Sequence, residues 1–260
     1  MPPATSSTEA RFRRIQTALG VDVDGVLGPQ TLTALEERLG IVAKPGAFSL
    51  ECSASSLDEI VKFEVSSREF YNRKLQSPTW PGGHSGVTIG IGYDIGVTSR
   101  AETKADWSGE IPDADLTALL VAQGTTGEPA KILAMRLKAI RIPFETASSV
   151  FYKSTLPRYA KSTRLIYPGV QNLPADAQGM LLSLIYNRGT KLTGPTRTEM
   201  AAIKALVAEG KTALDAIADQ VESMVRLWPD LPGLQKRRRR EAALIRKSDR
   251  EYRPEELIRV

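Results

Sequence analysis

The chain holds a single cysteine and a single histidine in 260 residues. Cys52 alone closes no internal disulfide, and Cys52 with His84 falls short of the four-ligand cage of a structural zinc site. Stability therefore has to come from packing, and neither a metal nor another cofactor is expected. Long apolar runs are missing too: nothing approaches the roughly 20 residues that span a bilayer, so no stable membrane insertion is expected. Met1 to Thr8 have neither a basic nor an apolar leader region, and the expectation is synthesis in the cytoplasm without a signal peptide. What is present is ordinary for a folded protein, with 42% hydrophobic and 25% charged residues, and the length suits one main core plus a small module. The net charge of +5 favours a polyanionic partner, a description that nucleic acid, anionic lipid and the bacterial wall all meet.

Residues 1–8 are small and polar with two prolines and read as a flexible arm. A helix is predicted from Ala10 to Leu19, where Phe12, Ile15 and Leu19 recur at helical spacing and Gly20 can stop the chain. Asp22 to Pro29 supply turn residues before a second amphipathic stretch from Thr31 to Leu39. Lys44-Pro45-Gly46 and the serines at 53, 55 and 56 suggest a connection, with 49–56 taken as the linker. Leu57, Ile60, Val61, Tyr71 and Leu75 then mark one stripe of a single helix over about Asp58 to Leu75. Val87 to Tyr93 alternate like a short strand or hairpin, and helical periodicity dominates from Asp113 onward. The second part, 57–248, is expected to be mainly α with one small β element, followed by a tail over 249–260.

Glu64 follows Leu57 by seven residues and Ile60 by four, so helical geometry sets its carboxylate on the apolar stripe. Glu59 and Glu69 lie roughly 140° around the helix, where solvent is expected. A carboxyl held against apolar surface keeps its proton more readily and can act as a general acid. Glycosidic cleavage needs such a donor at the leaving oxygen and a second group that activates water or stabilises the oxocarbenium-like transition state. Asp94, at the end of Thr88-Ile89-Gly90-Ile91-Gly92-Tyr93-Asp94, suits that second role, and Thr88, an even number of residues away, can share its face and hold a water. Alone, a helix-face Glu with a distant Asp is more often structural than catalytic.

Taken together, Glu64, Tyr71 and Ser85-Gly86-Val87-Thr88-Ile89-Gly90-Ile91-Gly92-Tyr93 resemble the phage-type lysozymes, in which a helix-borne Glu precedes a Thr-Ile-Gly-Ile-Gly strand. The resemblance implies a lysozyme-like α+β fold, with Glu64 as general acid and Thr88 as the threonine that positions water. In the tailed-phage enzymes the aspartate precedes the threonine, where this chain has Pro81-Gly82-Gly83; the order Glu, Thr, Asp is similar to the pesticin-like branch and gives the place to Asp94. Leu181 to Gly189 look like the buried helix that ends at the cleft of modular phage lysins, and Pro232 to Leu244 resemble their closing helix, so the likeness spans Asp58 to about Lys247. Phe12 to Leu19 followed by Asp24-Gly25-Val26-Leu27-Gly28-Pro29-Gln30-Thr31 resemble a peptidoglycan-binding module over 9–48, with Asp24, Gly25, Gly28 and Thr31 as its signature.

For sugar contact the sequence offers Asn187 at a helix end, Tyr93, and Trp80 beside the glycine turn. His84 reads as a solvated turn residue. Lys236 to Arg240 sit inside a helix that continues into Ala242-Ala243-Leu244, which argues for a solvated face rather than a nucleic-acid site. The expectation is a monomeric muramidase that cleaves the β-1,4 bond of bacterial peptidoglycan, with inversion as the resemblance implies, and that is delivered to the wall by a holin or a secretion machine. A lytic transglycosylase and a non-catalytic wall-binding protein remain the alternatives.

Overall fold

The structure, a computed structural model, describes residues 8–21, 23–27, 31, 34, 35, 38, 39 and 49–260. Along the chain run α1 (Thr8–Leu19), β1 (Glu51–Ser53), α2 (Ala54–Val65), α3 (Arg68–Lys74), β2 (Thr88–Ile89), β3 (Tyr93–Asp94) and α4 (Arg100–Trp107). Then come α5 (Asp113–Leu119), α6 (Glu128–Arg136), α7 (Phe144–Val150), α8 (Leu156–Ile166), α9 (Ala175–Arg188), α10 (Thr198–Val207), α11 (Leu214–Ser223), α12 (Pro232–Arg246) and β4 (Leu257–Arg259). The fold is mainly α, with two small antiparallel pairs, β1 with β4 and β2 with β3. The residues divide into two compact units. One comprises the described residues of Met1–Leu35 with Val61–Thr155, the other those of Glu36–Ile60 with Leu156–Val260. No helix among the described residues is long and apolar enough to cross a membrane.

The second unit is organised by α9. Every residue from Ala175 to Ile185 is buried, so this helix has no solvent face over three turns. It packs on β1, α8 and α12. Gly179 permits the close approach, because a Cβ there would collide with Ser56. The polar residues Asp176 and Gln178, buried in the first turns of α9, are bonded. Asp176 accepts from Ser53, from Ser55 at 3.1 Å and from the Tyr252 hydroxyl at 3.0 Å. Gln178 accepts from the Glu51 N–H at 3.0 Å and donates to Leu173 O at 2.8 Å. Satisfied in this way, they avoid the roughly 1–3 kcal/mol each that an unpaired buried polar group costs.

Three expectations change here. The 49–56 segment is no linker: Leu50 is buried, Glu51 to Ser53 form β1, and α2 begins at Ala54. The 249–260 segment is no tail, since its residues 257–259 pair with β1 in the register Glu51 to Arg259, Cys52 to Ile258 and Ser53 to Leu257. The basic run at 236–240 is not wholly solvated either. Arg237 and Arg238 are buried, paired with Glu241 Oε1 at 3.1 and 2.9 Å, and Arg237 also donates to the Ser183 hydroxyl at 3.0 Å. A charge run reads as solvent-facing only while no acid waits inside the core, and Glu241 is that acid.

In the first unit, α1 and residues 23–27 form a knot around Gln16. Its amide donates to Asp24 Oδ1 at 2.5 Å, Val26 O at 2.8 Å and Thr31 Oγ1 at 3.0 Å, and its carbonyl accepts from the Gly25 N–H at 2.7 Å. Gly25 has φ +78°, and a Cβ there would meet Glu9 Cγ at 2.7 Å, so both backbone freedom and space require glycine. Arg68, at the start of α3, pairs with Glu9 at 3.6 Å and with Glu145 of α7. Tyr71 is buried in edge contact with the Phe144 ring at 5.3 Å, and its hydroxyl donates to Ile142 O at 3.0 Å.

Candidate active site

The single helix expected over 58–75 is interrupted. Ser66 adopts φ +61° and Ser67 is extended, its hydroxyl accepting the Phe70 N–H at 3.1 Å, so α2 stops at Val65 and a capped α3 begins at Arg68. Serine is a better cap than a helix interior, and two in succession stop the first helix and start the next. Glu64 consequently stands in the last turn of α2, half-buried. The helix dipole gives no stabilising reason for an anion at that end.

Glu69 is exposed, as expected, but Glu59 is not. It is buried and takes both Nε and Nη2 of Arg240, at 2.9 and 2.6 Å. Helical angle alone placed it in solvent; its bidentate partner lies on α12, 181 residues further on.

The Thr88 to Asp94 stretch is a hairpin. Gly90 and Gly92 carry φ of +56° and +68°, a turn that residues with a side chain rarely make, and β2 and β3 close with Thr88 opposite Asp94 and Ile89 opposite Tyr93. Partners directly across an antiparallel pair share a face. Thr88 and Asp94 are therefore brought together on the half-exposed face, while Ile89 and Tyr93 point into the core. Thr79 joins this row through a bridge to Thr88, with N–H to carbonyl bonds of 2.9 and 2.8 Å. Its place was not foreseen, because the isolated pair between residues 79 and 88 has no strand pattern of its own.

Asp94 is held rigidly. Its Oδ2 accepts the Gly86 N–H at 2.9 Å, its Oδ1 the Gly96 N–H at 2.8 Å, and its carbonyl the Thr98 hydroxyl at 2.8 Å. Gly86 and Gly96 touch beneath it, and side chains at either position would strike the other's backbone. One carboxylate thus ties the segment before β2 to the turn after β3. It also presents a stationary negative charge beside Thr88.

Tyr93, expected at the sugar-binding surface, is instead a core residue. It is 4% exposed, its hydroxyl donates to Asp106 at 2.7 Å, and its ring meets Trp107 edge-on at 5.5 Å. The reason is the period of two: with Asp94 outward, Tyr93 must face inward. Trp80 is half-buried, and its Nε1 donates to Ser85 O at 3.0 Å while Lys131 lies 5.3 Å from its ring centre. It closes the Pro81 to Ser85 loop, on which His84 is exposed. Asn187, in the second unit, is exposed in the last turn of α9, and its Oδ1 accepts from Arg238 Nη2 at 3.3 Å.

Of the four module residues, Gly28 lies outside the described residues. Asp24, Gly25 and Thr31 converge on Gln16, Asp24 from an exposed position and the other two from buried ones. Gln16 was the missed residue. It is polar on a helix and 1% exposed, with nothing local in the sequence to mark it as buried.

Among the described residues, no group of three or more His, Cys, Asp or Glu side chains is arranged to hold a metal ion. A family model described as a domain of unknown function, DUF8812, matches residues 61–166. The matched segment holds Glu64, Thr79, Trp80, Thr88 and Asp94, and stops short of Asn187. No curated protein matches the chain.

Proposed function

We propose that the protein is a peptidoglycan hydrolase, a muramidase in which Glu64 is the general acid. The observation that carries this reading is the combination, in one unit, of a half-buried carboxyl at a helix end and a Thr88–Asp94 cross-strand pair on an outward hairpin face. In the proposed reaction Glu64 gives its proton to the leaving glycosidic oxygen as the C–O bond breaks. Water adds at the anomeric carbon, positioned by the Thr88 hydroxyl, and its proton passes to a carboxylate or to solvent. Asp94, fixed by two backbone N–H donors, offers a preorganised negative charge for the oxocarbenium-like transition state. The resemblance to phage-type lysozymes supports the substrate class, a β-1,4-linked wall glycan.

One observation favours a second reading, a lytic transglycosylase. Both carboxylate oxygens of Asp94 are already engaged by backbone, as befits a strut, and a transglycosylase needs Glu64 alone. Digestion of purified sacculi and mass analysis of the fragments separates the two. Hydrolysis leaves reducing ends, whereas transglycosylation leaves 1,6-anhydro ends lighter by one water. Asp94→Asn, scored per folded molecule, is expected to slow a muramidase by about tenfold or more and to leave a transglycosylase near the parent rate. Binding to sacculi with no released fragments of either kind would reduce the protein to a wall-binding module.

A further inference from the structure

The second unit contains a pocket of about 360 Å³ lined by Asn187, Arg188, Thr196, Arg197, Trp228 and Leu234. Its surroundings are rich in guanidinium. Arg226 is paired with Glu199, and Arg237 and Arg238 share Glu241, so both acids of the region are already used. Among the described residues neither Arg188 nor Arg197 forms an ion pair. Arg188 is only 8% exposed; one Nη donates to Thr196 O, while its Nε is buried without a hydrogen-bond partner. Its guanidinium lies 4.7 Å from the centre of the Trp228 ring, with that of Arg238 at 6.0 Å from the same ring. Burial above all, reinforced by Arg197 and Arg238 and only partly offset by Glu199, pulls Arg188 down to about 10.

A buried cation outside any ion pair, with one N–H left unsatisfied, is costly, and a planar guanidinium matches the two oxygens of a carboxylate or phosphate. We propose that this pocket is a binding site for a compact oxyanion, a carboxylate or phosphate group, which docks on Arg188 and Arg197 beside the Trp228 ring. The volume suits a small ligand or the end of a larger one. The indole face offers apolar contact to whatever carries the charge, and the exposed Asn187 amide adds a polar group at the rim. The inference stands apart from the hydrolase reading, because all its residues lie in the second unit and outside the matched 61–166 segment.

The test is an NMR titration of the arginine Nε–H signals of the full chain with three probes: inorganic phosphate, an N-acetyl dipeptide with a free carboxylate, and the same dipeptide amidated. A saturable shift of the Arg188 signal with phosphate or the free carboxylate, absent with the amide, is the expected result; which of the two binds tighter identifies the source of the oxyanion. Arg197→Gln, at a half-exposed position that should leave melting unchanged, is expected to weaken binding about tenfold or more. The site is refuted if neither oxyanion gives a saturable shift, if the amide binds as tightly as the carboxylate, or if Arg197→Gln binds like the parent.

Discussion

The two units solve the same problem, how to fix polar groups in a small fold, in opposite ways. The second buries its charges: Arg237, Arg238 and Glu241 sit in the core around α9, and Asp176 ties β1 to the C-terminal segment. The first keeps its key carboxyls, Glu64 and Asp94, half-exposed and fixes one of them with backbone N–H donors beneath a two-residue strand. Buried charge networks set a scaffold, whereas half-exposed carboxyls keep part of their surface in solvent. That contrast is why we place the chemistry in the first unit.

The largest effect should come from the scaffold side. Glu241→Ala leaves Arg237 and Arg238 buried without their acid and is expected to cost about 3–5 kcal/mol in denaturant unfolding. A cost under about 1 kcal/mol would dissolve the contrast. Asp94→Asn removes a charged acceptor from two backbone donors and should cost less, about 1–3 kcal/mol. Ser67→Ala deletes the cap that starts α3 and should cost about 1 kcal/mol, read from the same melts.

The smallest effect is a pH dependence in the second unit. Burial pushes the Glu199 carboxyl up, but its own backbone N–H, Arg226 and Thr198 together outweigh that and hold it below the ordinary carboxylate range. A depressed folded value contributes stability that is fully present above the unfolded value and lost as pH falls through the folded one. The stability difference between the parent and Glu199→Gln should therefore be constant near neutrality and shrink in acid. A difference that grows on acidification would reverse the assignment.

Much of this was legible in the residues. The glycines at 90 and 92 within an alternating run announce the hairpin, and the apolar run from Met180 to Ile185 marks a buried helix. The rest depended on partners far away in sequence. Three-residue strands carry no periodicity, so β1 and β4, separated by about 200 residues, read as linker and tail. Arg237 looks solvent-facing until Ser183, 54 residues earlier, and Glu241 surround it, and Glu59 until Arg240 reaches it. Spacing together with the resemblance to phage-type lysozymes singled out residues 64, 88 and 94, but the inward turn of Tyr93 and the double backbone tie of Asp94 emerge only once the hairpin register is fixed.

The central claim, that Glu64 is the proton donor, is tested most directly by the rate at which Glu64→Gln releases soluble muropeptides from purified sacculi, measured beside Glu69→Gln and with folding of each checked by circular dichroism. The account predicts that Glu64→Gln stays folded and loses at least about 10²-fold in rate, while Glu69→Gln remains near the parent. Release by Glu64→Gln at close to the parent rate would contradict it, as would an equal loss in Glu69→Gln.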